Sequence, residues 1–254
     1  MYTDTHCHLQ DERLGEPAGV MKRSRAAGVE RVMCCATAEN DWEVVEHIGR
    51  TSDGVAVSFG VHPWLAGRVK EGWEERLENR LRGMASGVGE IGLDFMIEQP
   101  GRDTQERVFV AQLEVANRLD RPVSIHCRRA WGPMIELLKK HRPKVGGVMH
   151  SYAGSVELLA EFGKLGLRVS FSGTVTRPRR KRAREAAAAV DPAMLLVETD
   201  SPDQPPAGCE NAPNEPAHVT RVARTVAQLR GITLDKVAAL TSSNYTDLFG
   251  PVLS

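Results

Sequence analysis

The sequence lacks an excess of charge of either sign. Lys+Arg and Asp+Glu both number 33 among 254 residues, so the formal net charge is zero. Domains that live on nucleic acid by bulk electrostatics are usually clearly basic, which disfavours that class but leaves room for an enzyme touching a few phosphates. A disulfide framework is missing as well. The five cysteines, Cys7, Cys34, Cys35, Cys127 and Cys209, form an odd count with no CxxC spacing and one adjacent pair. Reduced thiols inside a cell are the expectation. The chain opens MYTDTHCHL, without a basic and then apolar leader. No apolar run approaches the roughly 18 residues of a membrane span. A cytoplasmic protein with no membrane partner is expected. Nor does a Gly-rich dinucleotide loop follow the first apolar run, which argues against a doubly wound nucleotide-binding sheet.

Against these absences stands a regular alternation. Short apolar or β-branched runs at 2–6, 31–36, 55–60, 87–91, 122–126, 147–150, 168–171 and 195–199 read as strands. Helical patterns fill the gaps at 41–50, 74–84, 104–119, 133–141, 156–165, 179–190 and 218–229. In the third of these, Val108, Leu113, Val115, Ala116 and Leu119 are spaced for one buried face. A last helix at 234–248 follows Thr233, a suitable N-cap. Parallel neighbours need a long crossover, so the alternation predicts a parallel sheet. Eight strands in a chain of this length predict an α/β fold of the (β/α)₈ TIM barrel type, as one domain over 1–254. No internal repeat or domain boundary is visible, and nothing in the pattern specifies an oligomeric state. The stretch 201–216, rich in Pro, reads as a long loop after the last strand.

Placed on these strands, six polar residues fall at C-terminal ends. His6 and His8 close the first, Glu90 lies near the end of the fourth, His126 ends the fifth, His150 the sixth, and Asp200 follows the eighth. In a barrel all such ends meet at one mouth, where catalytic groups gather. His6 and His8 are two apart, so on an extended strand both point to one side and Cys7 to the other. Any one of these histidines taken alone is more often structural than a ligand; His47, His141 and His218 lie in helical segments without partners. Imidazole with carboxylate suits zinc, manganese, cobalt or iron better than an all-oxygen shell would. Six donors exceed one closed tetrahedral zinc and suit two divalent ions, with Glu90 able to bridge.

The blocks DTHCHL at 4–9, GVHPW at 60–64, GEIGLDF at 89–95, SIHCRRA at 124–130, HSYAGS at 150–155, ETDSP at 198–202, NEP at 214–216 and SNYTDLF at 243–249 run in order along the whole chain. In these the sequence resembles the TatD family of metal-dependent deoxyribonucleases, within the amidohydrolase superfamily. The resemblance implies one metal, such as Zn, Mg or Mn, on His6, His8, Glu90 and Asp200, and a second on Glu90, His126 and His150. It also implies that His62 contacts substrate phosphate or water, and that Arg128 binds a phosphate oxygen; a structural ion pair is the plainer alternative for Arg128. Water bound between two cations loses its proton near neutral pH, and Asp200 would orient it and accept that proton. Glu90, His62, Arg128 and Asp200 are thus the catalytic candidates, while Cys7 and Cys127 read as bystanders.

The expected activity is hydrolysis of DNA phosphodiester bonds; the family adds a preference for single strands and 3′ ends. Two features bear on the substrate. The run 177–184, RPRRKRAR, begins a helix beside the rim and either guides a nucleic-acid backbone or is a solvated face. Family nucleases often carry a basic HRG-type stretch before NEP, where this chain has Ala207, Gly208, Cys209 and Glu210. That departure keeps open a binuclear amidohydrolase acting on a small lactone, amide or phosphoester. A binding protein with a vestigial site is disfavoured, because no ligand is missing.

Overall fold

Eight apolar runs become eight parallel strands with helices between them. The computed structural model describes residues 1–253. In chain order the elements are β1 (Tyr2–Cys7), α1 (Pro17–Ala26), β2 (Val29–Cys35), α2 (Trp42–Thr51), β3 (Val55–Phe59), α3 (Trp73–Gly83), β4 (Gly87–Asp94), α4 (Arg102–Arg118) and β5 (Val123–Arg128). They continue with α5 (Trp131–Lys140), β6 (Gly147–Met149), α6 (Val156–Lys164), β7 (Leu167–Phe171), α7 (Lys181–Ala189), β8 (Leu195–Val197), α8 (Val219–Arg230) and α9 (Leu234–Leu253). The strands lie side by side in sequence order. The sheet curls until its ends meet: Cys7 and Ser201 form a parallel bridge. The His8 N–H donates to the Ser201 carbonyl at 2.8 Å and the Asp200 N–H to the His6 carbonyl at 2.9 Å. The result is a nearly closed eight-stranded parallel barrel. Three of the expected metal ligands, His6, His8 and Asp200, thus lend backbone groups to its seam.

Helices cover the outside of the sheet, and most of the core lies in that layer. A second cluster joins Met33, Cys35, Val148 and Leu196 to Tyr245, Leu248 and Phe249 of α9. Phe249 lies against Gly87, where β4 begins, and Leu248 near Gly146, just before β6. The last helix therefore packs against the N-terminal mouth and leaves the opposite mouth free for chemistry. Thr233 caps that helix, its hydroxyl accepting the Lys236 N–H at 3.2 Å. No helix among the described residues is long and apolar enough to cross a membrane.

Several boundaries move from their expected places. The sequence pattern omits α1, whose buried face is only Val20, Met21 and Ser24, too thin an apolar stripe to show a period. Pro17 at its first turn was the available signal. β4 runs on to Asp94 and β5 to Arg128, so Glu90 and His126 lie inside strands rather than at their tips. β6 and β8 end earlier than expected, at Met149 and Val197, leaving His150 and Asp200 on the chain that follows. Extension of the fourth and fifth strands depends on Gly92, at φ 146°, where a Cβ would meet the His126 carbonyl oxygen at 2.0 Å. Here Gly92 pairs directly with His126, two residues beyond Glu90.

Candidate metal centre

All six expected ligands converge at the C-terminal mouth, around Glu90. Its two carboxylate oxygens face different partners. Oε1 lies 2.7 Å from His150 Nε2, 2.9 Å from His126 Nδ1 and 3.4 Å from His62 Nε2. Oε2 lies 3.2 Å from His6 Nε2 and 3.4 Å from His8 Nε2. Asp200 Oδ1 completes the second group, 3.6 Å from His8 Nε2 and 3.9 Å from His6 Nε2. Zinc bonds to nitrogen and oxygen of about 2.0–2.1 Å set tetrahedral donors roughly 3.3 Å apart. The contacts on the Oε2 side, 3.2–3.9 Å, lie near that spacing, whereas the 2.7 and 2.9 Å contacts of Oε1 are hydrogen-bond distances that would lengthen around an ion.

The far nitrogen of each ring tells which face is free to bind. His8 Nδ1 donates to the Cys35 carbonyl at 2.8 Å, which turns Nε2 towards Glu90 and Asp200 as the atom a cation would take. His6 Nδ1 meets Ser124 Oγ at 3.0 Å. His150 Nδ1 faces Glu198 Oε1 at 3.3 Å, and His126 Nε2 faces Asp94 Oδ2 at 3.4 Å. Such outer acceptors orient ligating imidazoles and make them more basic. His62 is the exception. Proximity alone puts it in a possible ligand set with Glu90 and His126. Yet its Nδ1 accepts the Trp64 backbone N–H at 3.2 Å, so a neutral ring keeps its proton on Nε2. That ring can donate a hydrogen bond but has no lone pair facing Glu90.

The charges favour a cation. Burial would raise the Glu90 carboxyl, but the rings of His150, His62 and His6 hold it well below the usual carboxylate range. Burial opposes protonation of His150, yet Glu90 and then Glu198 push it well above an ordinary histidine. His8 is raised likewise, with Asp200 and Glu90 outweighing burial. His6 moves the other way, lowered by burial first and by the neighbouring His150 ring. Burial also works to raise Asp200, but His8, His150 and His6 bring it down to about 2. The cluster therefore holds two carboxylates as anions and protons on imidazoles that a divalent cation would displace.

The family profile described as TatD related DNase matches residues 3–250. The chain belongs to the TatD family. As a member it is a metal-dependent hydrolase. It is 32% identical over 250 residues to the uncharacterized metal-dependent hydrolase YjjV of Escherichia coli K12, covering 96% of each chain. The crystal structure of that TatD homolog superposes with a TM-score of 0.94 over 98% of both chains. Identity to the 3′-5′ ssDNA/RNA exonuclease TatD of Escherichia fergusonii is 32% over 238 residues, 91% of this chain and 92% of that one.

Around this TatD centre stand residues that the sequence reading passes over. Asp94 and Glu198 are fully buried acids that anchor His126 and His150. Strand alternation was the signal for Asp94, since positions 90, 92 and 94 of β4 share one face. Trp64 is 51% exposed, yet its Nε1 donates to Asp94 Oδ2 at 2.7 Å, which fixes the indole on the wall of the cleft. Gln204 Nε2 donates to Asp200 Oδ2. Arg128 lines the cleft and reaches a carboxylate only at 4.0 Å, on Asp94. Cys7 is fully buried in the outer core with its thiol on the Met33 carbonyl, and burial pushes the Cys127 thiol up.

Proposed function

We propose that this TatD-family hydrolase is a deoxyribonuclease that cleaves DNA phosphodiester bonds with two divalent cations, on a (β/α)₈ TIM barrel. The observation that carries the reading is the division of labour at Glu90. One oxygen faces His6 and His8 beside Asp200, the other faces His126 and His150. A carboxylate so placed would hold both cations, with His6, His8 and Asp200 on one side and His126 and His150 on the other. Bound there, a cation pair supplies Lewis acidity to a water and to the phosphoryl oxygens.

The chain's own groups would do the rest. Asp200, held as an anion, takes the proton from the attacking water. His62 presents its Nε2–H to an anionic oxygen of the substrate. Arg128, half exposed in the cleft, is free to take a phosphate oxygen. The name of the relative from Escherichia fergusonii supports single-stranded polynucleotide as substrate and 3′-to-5′ polarity.

A second reading, a binuclear amidohydrolase for a small molecule, has one observation in its favour. Glu210, in the stretch where basic residues are common in the family, lies 3.4 Å from Arg177 and neutralises a cation of the rim. Cleavage of a 5′-labelled single-stranded oligonucleotide decides between the two. With added Mg²⁺, Mn²⁺ or Zn²⁺ the wild type should give a ladder shortening from the 3′ end, and Glu90→Ala should give none. A metal-loaded wild type that leaves the oligonucleotide intact would transfer the assignment to the small-molecule hydrolase.

A further inference from the structure

The chain just before and at the start of α7 is crowded with cations. Arg179, Arg180, Lys181 and Arg182 line a cavity of 410 Å³ that also has His126, Arg128 and His150 in its walls. Arg180, Arg128, His126 and His150 line the metal cleft too, so the two spaces adjoin. Some surface arginines elsewhere pair with acids, among them Arg23 with Glu215, Arg76 with Glu39 and Arg118 with Glu78. Among the described residues, none of the four cations at 179–182 is paired with a carboxylate, and the nearby Arg177 takes the local one, Glu210.

The four side chains are exposed, so this arrangement is only slightly unfavourable without a ligand. Four like charges repel one another, and cations at a helix N-terminus oppose its dipole. The N-cap residue Arg180 makes no side-chain bond to the first turn of this nine-residue helix. An anion with several acceptor oxygens would relieve both deficits, pairing the guanidinium groups and accepting the free N–H groups. What sets these exposed cations apart is their place, on the wall of a cavity shared with His126 and His150.

We infer that this cavity is a second phosphate subsite, which holds a phosphate of the substrate other than the one being hydrolysed. The chain thereby selects molecules carrying two or more phosphates. The inference rests on reading the metal centre as a phosphodiesterase, and the two can fail separately.

Calorimetric titration of the metal-loaded protein tests it, with thymidine 3′,5′-bisphosphate against thymidine 5′-monophosphate as probes. The wild type should bind the bisphosphate at least roughly tenfold more tightly, as expected for added charge-assisted phosphate contacts. The triple variant Arg179→Ala, Lys181→Ala, Arg182→Ala should lose that preference. A control triple, Lys140→Ala, Lys144→Ala, Lys164→Ala, removes exposed cations near helix ends at the opposite mouth and should keep it. Equal binding of both probes by the wild type overturns the subsite. So does a preference that survives the first triple, or one lost equally in the control, which would reduce it to bulk charge. A bisphosphate preference without DNA cleavage would leave the subsite standing and remove the nuclease reading; DNA cleavage without the preference would do the reverse.

Discussion

The backbone N–H of Trp64 donates to Nδ1 of His62 at 3.2 Å, and this one bond decides which nitrogen of the ring carries the proton. Burial lowers the His62 pKa, which keeps the ring neutral and its proton on Nε2, 3.4 Å from Glu90 Oε1. His62 is thus a hydrogen-bond donor among the candidate ligands. His62→Ala should keep the metal content of the wild type and lose about 10²–10³ in kcat, the usual cost of one donor to a developing oxyanion. His150→Ala, in contrast, should lose metal. Elemental analysis of the purified variants separates the two, and a metal-depleted His62→Ala protein would make His62 a ligand.

Glu198 acts at one remove. Its Oε1 lies 3.3 Å from His150 Nδ1 and accepts the Ser151 N–H at 2.7 Å, while Oε2 accepts the Ser170 hydroxyl at 2.5 Å. The carboxylate therefore fixes the His150 ring and would strengthen its Nε2 as a ligand to a bound cation. Glu198→Gln should weaken metal affinity by about 10–100-fold, the common effect of removing an outer-sphere partner. Competition with a chromogenic chelator would measure it. Unchanged affinity would reduce Glu198 to a packing role.

How much of this was legible beforehand depends on whether a residue's role is local. The convergence of the candidate ligands was readable because each histidine or carboxylate sits at a recurrent place in a strand-helix alternation, and the barrel turns that place into one mouth. His6 and His8 could be paired from their spacing alone. Glu198 and Trp64 could not, since their meaning lies in a contact 48 residues away for the first and 30 for the second. α1 was illegible for another reason: it packs on so few apolar residues that composition hides it. Strand ends were blurred where one glycine, Gly92, lets β4 and β5 continue together past their expected limits.

Asp4 links the first strand to the end of the last. Its Oδ1 accepts the Thr199 N–H at 2.8 Å and its Oδ2 the Thr199 hydroxyl at 2.5 Å. Burial pushes its carboxyl up to about 8, with Glu198 adding to the rise and the Thr199 bonds opposing it. The folded chain then holds a proton that the unfolded chain releases near the ordinary carboxylate pKa. Stability from this group is present at low pH and is lost as pH rises towards the folded pKa, at no more than about 1.4 kcal/mol per pH unit. Urea unfolding of the metal-free protein between about pH 5 and 8 should show this decline, and Asp4→Asn should flatten it. An equal slope in the variant would assign the decline to other groups.

Asp200 is the sharpest test of the mechanism, because its backbone and its charge can be separated. The residue sits at φ 59°, in the left-handed region, pinned by its N–H to the His6 carbonyl. Asn accepts that conformation nearly as readily as Asp, whereas Ala would add backbone strain. Asp200→Asn keeps an oxygen near His8 and His6 but cannot accept a proton from water. It should retain metal close to wild-type stoichiometry and lose about 10²–10⁴ in kcat, the range of a general base. Asp200→Ala should lose both metal and stability. If Asp200→Asn turned over near the wild-type rate, proton acceptance would belong to another group; if it lost metal as completely as the alanine variant, slow turnover would report a missing ligand, and only a metal-saturated Asp200→Asn that was still slow would keep Asp200 as the base.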